Sequence, residues 1–105
     1  MQQYIIHAWD DTDENALERR MKSRPAHFAN ARKMQSDGNF VFGGAMLNNE
    51  GRMIGSTMVV QFETNEELQY WLGTEPYIVG NVWKNFQVHS FKVADIEKYF
   101  LQLNK

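Results

Sequence analysis

A chain of 105 residues with 43% hydrophobic content holds one core and not two, so residues 1–105 are read as a single domain. It contains no cysteine, which excludes a thiolate nucleophile, an iron–sulfur cluster and any cysteine-based zinc site. A formal charge of −2, with basic residues scattered among acids, gives no footprint for nucleic acid, and no run is long and apolar enough for a membrane-spanning helix. Met1 to Asp11 passes from a short apolar patch straight into acids, unlike a secretory leader. The expectation is a cytoplasmic protein whose partners are small molecules or copies of itself.

Tyr4 to Trp9 alternates Tyr4, Ile6 and Ala8 against Ile5, His7 and Trp9, and both sets are largely apolar, which predicts a central strand covered on both faces. Asp13 is placed to cap a short helix through Leu17 and Met21, and Ser23-Arg24-Pro25 marks a break. Pro25 lacks an N–H and holds φ near the helical value, so it suits the first position of a second helix that runs to Asp37 and stops at Gly38. Arg24 and His27 then belong to its first turn. They share the apolar half of the helix with Phe28, Ala31, Met34 and Gln35, so a cation and an imidazole face the core, where an uncompensated polar group is costly. The alternative is a core histidine satisfied by a backbone carbonyl, with Arg24 snorkelling at the helix edge.

Phe40 to Met46 reads as a second strand in which Gly43-Gly44 permits a bulge or a close approach. Asn48-Asn49-Glu50-Gly51 is turn chemistry, and Met53 to Phe62 completes a hairpin with Ile54, Ser56, Met58, Val60 and Phe62 on one face. Ser56 is the polar exception there. Thr64 or Asn65 caps a helix through Leu68, Trp71 and Leu72 that ends at Gly73, and Glu75 caps a fresh start with Pro76 at its first position. Val82 to Val93 is a fourth strand carrying His89, and residues 94–105 form a C-terminal helical extension with Ile96, Tyr99, Phe100 and Leu103 on one stripe.

This order predicts an α+β, ferredoxin-like (split βαβ) fold: an antiparallel four-stranded sheet with helices on one face. The first strand lies centrally between the third and fourth, so His7 and His89 occupy neighbouring strands. Helices cover one face only, yet Ile5, Trp9, Val41, Val59, Phe91 and Val93 also need cover. The uncovered face is therefore predicted to pair with a second subunit, sheet against sheet, in a homodimer.

Several short stretches recur in a defined order: Ala8-Trp9-Asp10 at a strand end, Arg24-Pro25-Ala26-His27, Gly44, Gly55-Ser56-Thr57, Glu75-Pro76-Tyr77 and Ser90-Phe91-Lys92. Through them, from Tyr4 to Lys92, the chain resembles the YciI-like proteins of the dimeric α/β-barrel superfamily. The resemblance implies ferredoxin-like protomers whose sheets pair in a dimeric α/β barrel, and a site in which a helix histidine is paired with an acidic residue. Here these are His27 and Glu75, the latter standing where the family usually has aspartate, one methylene shorter. The tail beyond Ala94 extends past the family core. Relatives include a dehydrochlorinase acting on a chlorinated hydroxyhydroquinone, and other branches include lactone isomerases and monooxygenases.

If His27 and Glu75 converge, the carboxylate holds one imidazole nitrogen and leaves the other to take a proton. Arg24 would bind the anion that forms, Ser56 would hydrogen-bond a substrate oxygen, and Trp9 or Tyr77 would wall the pocket. The set suits a lyase, isomerase or dehydrochlorinase that abstracts a proton from a small aromatic or cyclic substrate without a cofactor. No metal is implied, because His7 and His89 lack a third ligand, and the glycines are not at phosphate-loop spacing. A nucleophilic Ser56 is disfavoured, since a mid-strand serine lacks a nucleophile elbow. The alternative is a non-catalytic dimeric protein that binds a metabolite or serves as an accessory.

Overall fold

Alternating residues give the two central strand segments a buried face, and pairing these with two more exposed edge segments builds the sheet. The computed structural model describes residues 1–103; the expected extension over 94–105 is therefore described as far as Leu103, and its last two residues lie outside the described residues. The elements are β1 (Gln2–Asp10), α1 (Ala16–Ser36), β2 (Phe40–Leu47), β3 (Met53–Phe62), α2 (Asn65–Thr74), α3 (Pro76–Val79), β4 (Trp83–Phe91) and α4 (Ile96–Leu103). The sheet order is β2-β3-β1-β4 with antiparallel neighbours throughout. This is the expected ferredoxin-like sandwich, with β1 central.

Ile6 pairs with Met58 on one side and Val88 on the other, and Ala8 with Ser56 and Phe86, which sets these residues on the helix face. There they close over Met34, Leu68, Trp71, Tyr77 and Val82 in one core. Each large aliphatic or aromatic side chain buried in this way stabilises the fold by roughly 1.5–3 kcal/mol. Gly55 lets β1 come close: a Cβ there would lie 2.4 Å from the Ala8 carbonyl oxygen. At the Gly43-Gly44 pair the crowding is milder, and the ladder of β2 is irregular just before it, between Phe40 and Phe42.

The first two predicted helices are one. α1 runs unbroken through Pro25, so Arg24 and His27 lie in mid-helix and not in a first turn. Pro25 offers no N–H to the Met21 carbonyl, a local cost that normally ends a helix. The helix persists because Arg20, His27 and Met34, spaced two turns apart, lie on a single buried stripe spanning the proline. Asp13 does not cap α1 by its side chain; Asn15 holds the cap position, and Asp13 accepts the Asn15 N–H at 3.2 Å and pairs with Arg19 at 2.7 Å. Gly38, at φ +79°, follows the C-terminus as expected. Thr64 caps α2 by accepting the Glu67 N–H at 3.2 Å, and that helix passes through Gly73 to Thr74.

The other sheet face carries Ile5, His7 and Trp9 beside Val59, Thr57 and Gly55 of β3 and His89, Gln87 and Asn85 of β4. No helix covers it. Val59 is fully buried by its neighbours, while Trp9, Phe42 and Phe91 are 43%, 49% and 37% exposed. His7 and His89 stand on adjacent strands; His7 Nδ1 lies 3.1 Å from Thr57 Oγ1, and His89 Nε2 lies 3.2 Å from Gln87 Oε1. No helix among the described residues is long and apolar enough to cross a membrane.

Candidate active site

The buried stripe of α1 delivers His27 to the start of α3, and the local chemistry of that start delivers its partner. Pro76 opens α3, and Glu75 precedes it as N-cap with its Oε1 accepting the Tyr77 N–H at 3.2 Å. The same Oε1 accepts a hydrogen bond from His27 Nδ1. The two readings of Glu75, helix cap and histidine partner, are thus one arrangement, and the extra methylene of glutamate does not prevent the contact. Glu75 is fully buried and His27 is 8% exposed. A carboxylate oxygen accepts, so Nδ1 is the donor in this contact, and Nε2 is the ring nitrogen left without a bond to Glu75.

Tyr77 forms the floor of this pair. Its ring stacks on His27 with centroids 3.9 Å apart and planes 10° from parallel, and Trp83 meets His27 edge-on at 6.4 Å. Burial pushes the Tyr77 phenol up, against the pull of Arg20 and Arg24. Tyr77 OH and Glu75 Oε2 are buried and make no hydrogen bond to other described residues.

Beside the pair lies a second buried group that the sequence reading missed. Arg20 donates through Nη1 to both carboxylate oxygens of Asp10 at 3.0 Å, and through Nη2 to Ser56 Oγ at 3.0 Å. Trp83 Nε1 donates to the same Ser56 oxygen at 3.2 Å. The Arg20 guanidinium sits 4.7 Å from the centroid of the Tyr77 ring, which links the two groups through an Arg20–Tyr77–His27 stack. Burial pushes the Asp10 carboxyl up, outweighing the nearby Arg20 and its hydrogen bonds, which lower it. The signal for Arg20 and Asp10 was present: Arg20 is seven residues before His27, and Asp10 shares the parity of Ile6 and Ala8 on β1.

The expected site residues therefore divide. His27, Glu75 and Tyr77 come together; Ser56 adjoins them, but its hydroxyl already accepts from Arg20 and Trp83. Arg24 makes no hydrogen bond to the pair: it is half-buried, with its guanidinium 4.8 Å from the centroid of the Phe28 ring. Trp9 is also not brought in. Odd-numbered β1 residues face the open side, so Trp9 stacks edge-on with His7 on the opposite face of the sheet from His27. No cluster of three or more potential metal-ligating His, Asp or Glu side chains occurs among the described residues.

Known proteins share both the sequence and the fold. Residues 3–92 match the YCII-related domain model. The YciI protein of Escherichia coli O6:H1 is 34% identical over 95 residues, which cover 85% of this chain and 95% of that protein. Among solved structures, a 5-chloro-2-hydroxyhydroquinone dehydrochlorinase of Burkholderia phenoliruptrix AC1100 superposes with a TM-score of 0.73 at 18% identity, covering 88% of this chain and 95% of its own. A dimeric ferredoxin-like protein of unknown function from Jannaschia sp. superposes at 0.55 with 12% identity, covering 89% of this chain and 100% of its own. With its family model spanning β1 to the end of β4 and a relative above 30% identity over nearly its full length, this chain belongs to the YCII-related domain family.

Proposed function

We propose that the chain is a cofactor-independent enzyme in which the His27–Glu75 pair acts as general base on a small aromatic or cyclic substrate, working as a cytoplasmic homodimer joined through its open sheet faces. The observation that carries the reading is the bond from His27 Nδ1 to the same Glu75 oxygen that caps α3. That oxygen is fixed by backbone geometry, so the imidazole is oriented with Nε2 free to take a proton. Glu75 then stabilises the imidazolium that forms, as a buried carboxylate does for a catalytic histidine elsewhere. A proton taken from a phenol, or from carbon next to a carbonyl, releases an electron pair. It expels chloride in an elimination or is reprotonated at another carbon in an isomerisation. The fold shared with the dehydrochlorinase supports testing the elimination first.

Asp10, Arg20 and Ser56 are positioning residues in this account: they hold Arg20 against Tyr77, and Tyr77 against His27. The dimer is supported by the exposed Trp9, Phe42 and Phe91 on one uncovered face. The test is chloride release from chlorinated hydroxyhydroquinones, together with double-bond migration in small unsaturated lactones. The wild type should turn over at least one of them, and His27→Gln should lose about 10²–10⁴-fold in kcat. Retained activity in His27→Gln would contradict the assignment. A second reading, a non-catalytic metabolite-binding dimer, is favoured by the packing of the His27 ring, which leaves little of it exposed. Saturable binding without turnover would decide for it.

A further inference from the structure

The C-terminal helix has an apolar face that the described residues leave unburied. No residue of α4 is buried, and Ile96, Tyr99, Phe100 and Leu103 are each more than half exposed. An eight-residue helix is too short to be stable in water by itself, so this face needs a partner. The family match ends at residue 92, so α4 is an addition of this chain to the shared fold.

A receptive surface exists at the far edge of the sheet. A groove of about 620 Å³ runs between α1 and β2, lined by Phe28, Ala31, Arg32, Gln35, Phe40 and Gly43. Phe28 is mostly exposed there. The groove is apolar along its floor and carries Arg32 on its helix side, while α4 has Asp95 just before it and Glu97 in its first turn beside the apolar stripe. The two surfaces are complementary in both respects.

The groove is out of reach of the helix in the same chain. It lies on the helix side of the sheet at β2, whereas the tail leaves β4, the opposite edge, on the open side, where the Val93 N–H is tied to Gln3 Oε1 at 2.7 Å. From Val93 to Ile96 the chain spans about 10 Å at most. Crossing from β4 to β2 alone takes about 14 Å, before turning round the edge to the other face. A second copy shortens the path: facing sheets pack about 10 Å apart, within the reach from Val93 to Ile96, so the helix starts at the partner's edge strand and need only turn round that edge. If two open faces meet about a two-fold axis along the strands, β4 of one protomer lies beneath β2 of the other, with the ends of the sheets matched. Phe91, where α4 departs, and Phe40, where the groove begins, are at the same end of the sheet, since both lie level with Gln3 and Val60 of the strands between.

We propose that α4 is an exchanged arm: each protomer lays Ile96, Tyr99, Phe100 and Leu103 into the α1–β2 groove of a second copy of the chain, with Glu97 toward Arg32. The inference rests on the sheet-to-sheet dimer put forward above. It also places the partner's helix against the segment of α1 that carries His27, so closing the dimer and building one wall of α1's surroundings become a single event.

Because the chain has no cysteine, Phe100→Cys introduces one attachment point on an exposed position. Labelled with benzophenone maleimide and irradiated, the full-length protein should give a covalent dimer, with the cross-link mapped by mass spectrometry to the peptide between Phe28 and Gly43. Adding Phe28→Asp should lower that yield about tenfold, as expected for removal of an apolar anchor. Light scattering on the same sample separates the two ideas. A dimer without cross-linking, or cross-linked outside this peptide, overturns the exchanged arm and leaves the sheet dimer standing. A monomeric mass overturns both, and an intrachain cross-link to the groove overturns the second copy as occupant.

Discussion

The two faces of this sheet use adjacent residues of the same strands and end in opposite states. On the helix side, Ile6, Ala8, Met58 and Val60 are buried, and the charged groups drawn in with them are paired: Asp10 with Arg20, Arg20 with Ser56, His27 with Glu75. On the open side, one residue along, Trp9, Phe42 and Phe91 stay at the surface, with His7 and His89 bonded only to nearby side chains of the sheet. The covered face has spent its apolar surface inside the protomer and can afford a buried polar site. The open face leaves its apolar surface exposed on the protomer.

The largest effect should come from breaking the ionic group of the covered face. Asp10→Ala leaves the Arg20 guanidinium buried without its carboxylate, and the expected loss is about 3–5 kcal/mol of unfolding free energy, read from urea denaturation. A loss under 1 kcal/mol would mean that water already reaches this pair. On the open face, Phe42→Ser should change protomer stability by no more than about 0.5 kcal/mol while weakening association measurably in sedimentation equilibrium. If it destabilised the protomer as Asp10→Ala does, the two faces would not differ as described.

The smallest effect separates two neighbouring carboxylates by pH. Hydrogen bonds from Arg19 hold exposed Asp13 down to about 2 from its ordinary value of 3.8. Its folded value lies below the unfolded one, so its small contribution is complete above about pH 3.8 and is lost as pH falls through about 2. Asp10 is shifted upward by burial, so the sign reverses: its ionisation costs stability at neutral pH, and the cost is relieved as pH falls through the raised value. The stability difference between wild type and Asp13→Asn should therefore shrink toward zero between pH 4 and 2, and a difference that persists at pH 2 would contradict it.

Much of the fold was legible because strand alternation reports burial directly. The sheet order, the two-sided apolar character of β1 and the Glu75-Pro76 helix start all follow from residue type and spacing. Pro25 misled because its local preference for a helix start was outweighed by a buried stripe that reaches across it, and such a stripe becomes visible only when Arg20 is counted among the inward residues. Arg20 and Asp10 were missed for that reason: hydropathy reads each as solvent-facing, and only their pairing makes burial tolerable. Trp9 does not wall the pocket, because its odd position on β1 places it on the face opposite Ala8 and Asp10.

The central claim is that Glu75 holds His27 so that Nε2 faces a small cyclic ligand. Nitrogen-15 NMR of the two His27 ring nitrogens, with and without 2,5-dihydroxybenzoquinone, tests it most directly. The account predicts a protonated, hydrogen-bonded Nδ1 that loses its downfield proton signal in Glu75→Ala, and an Nε2 resonance that moves on adding the quinone to the wild type. An Nδ1 signal indifferent to position 75, or an Nε2 signal unmoved by saturating quinone and by every hydroxyquinone and lactone tried, would contradict it.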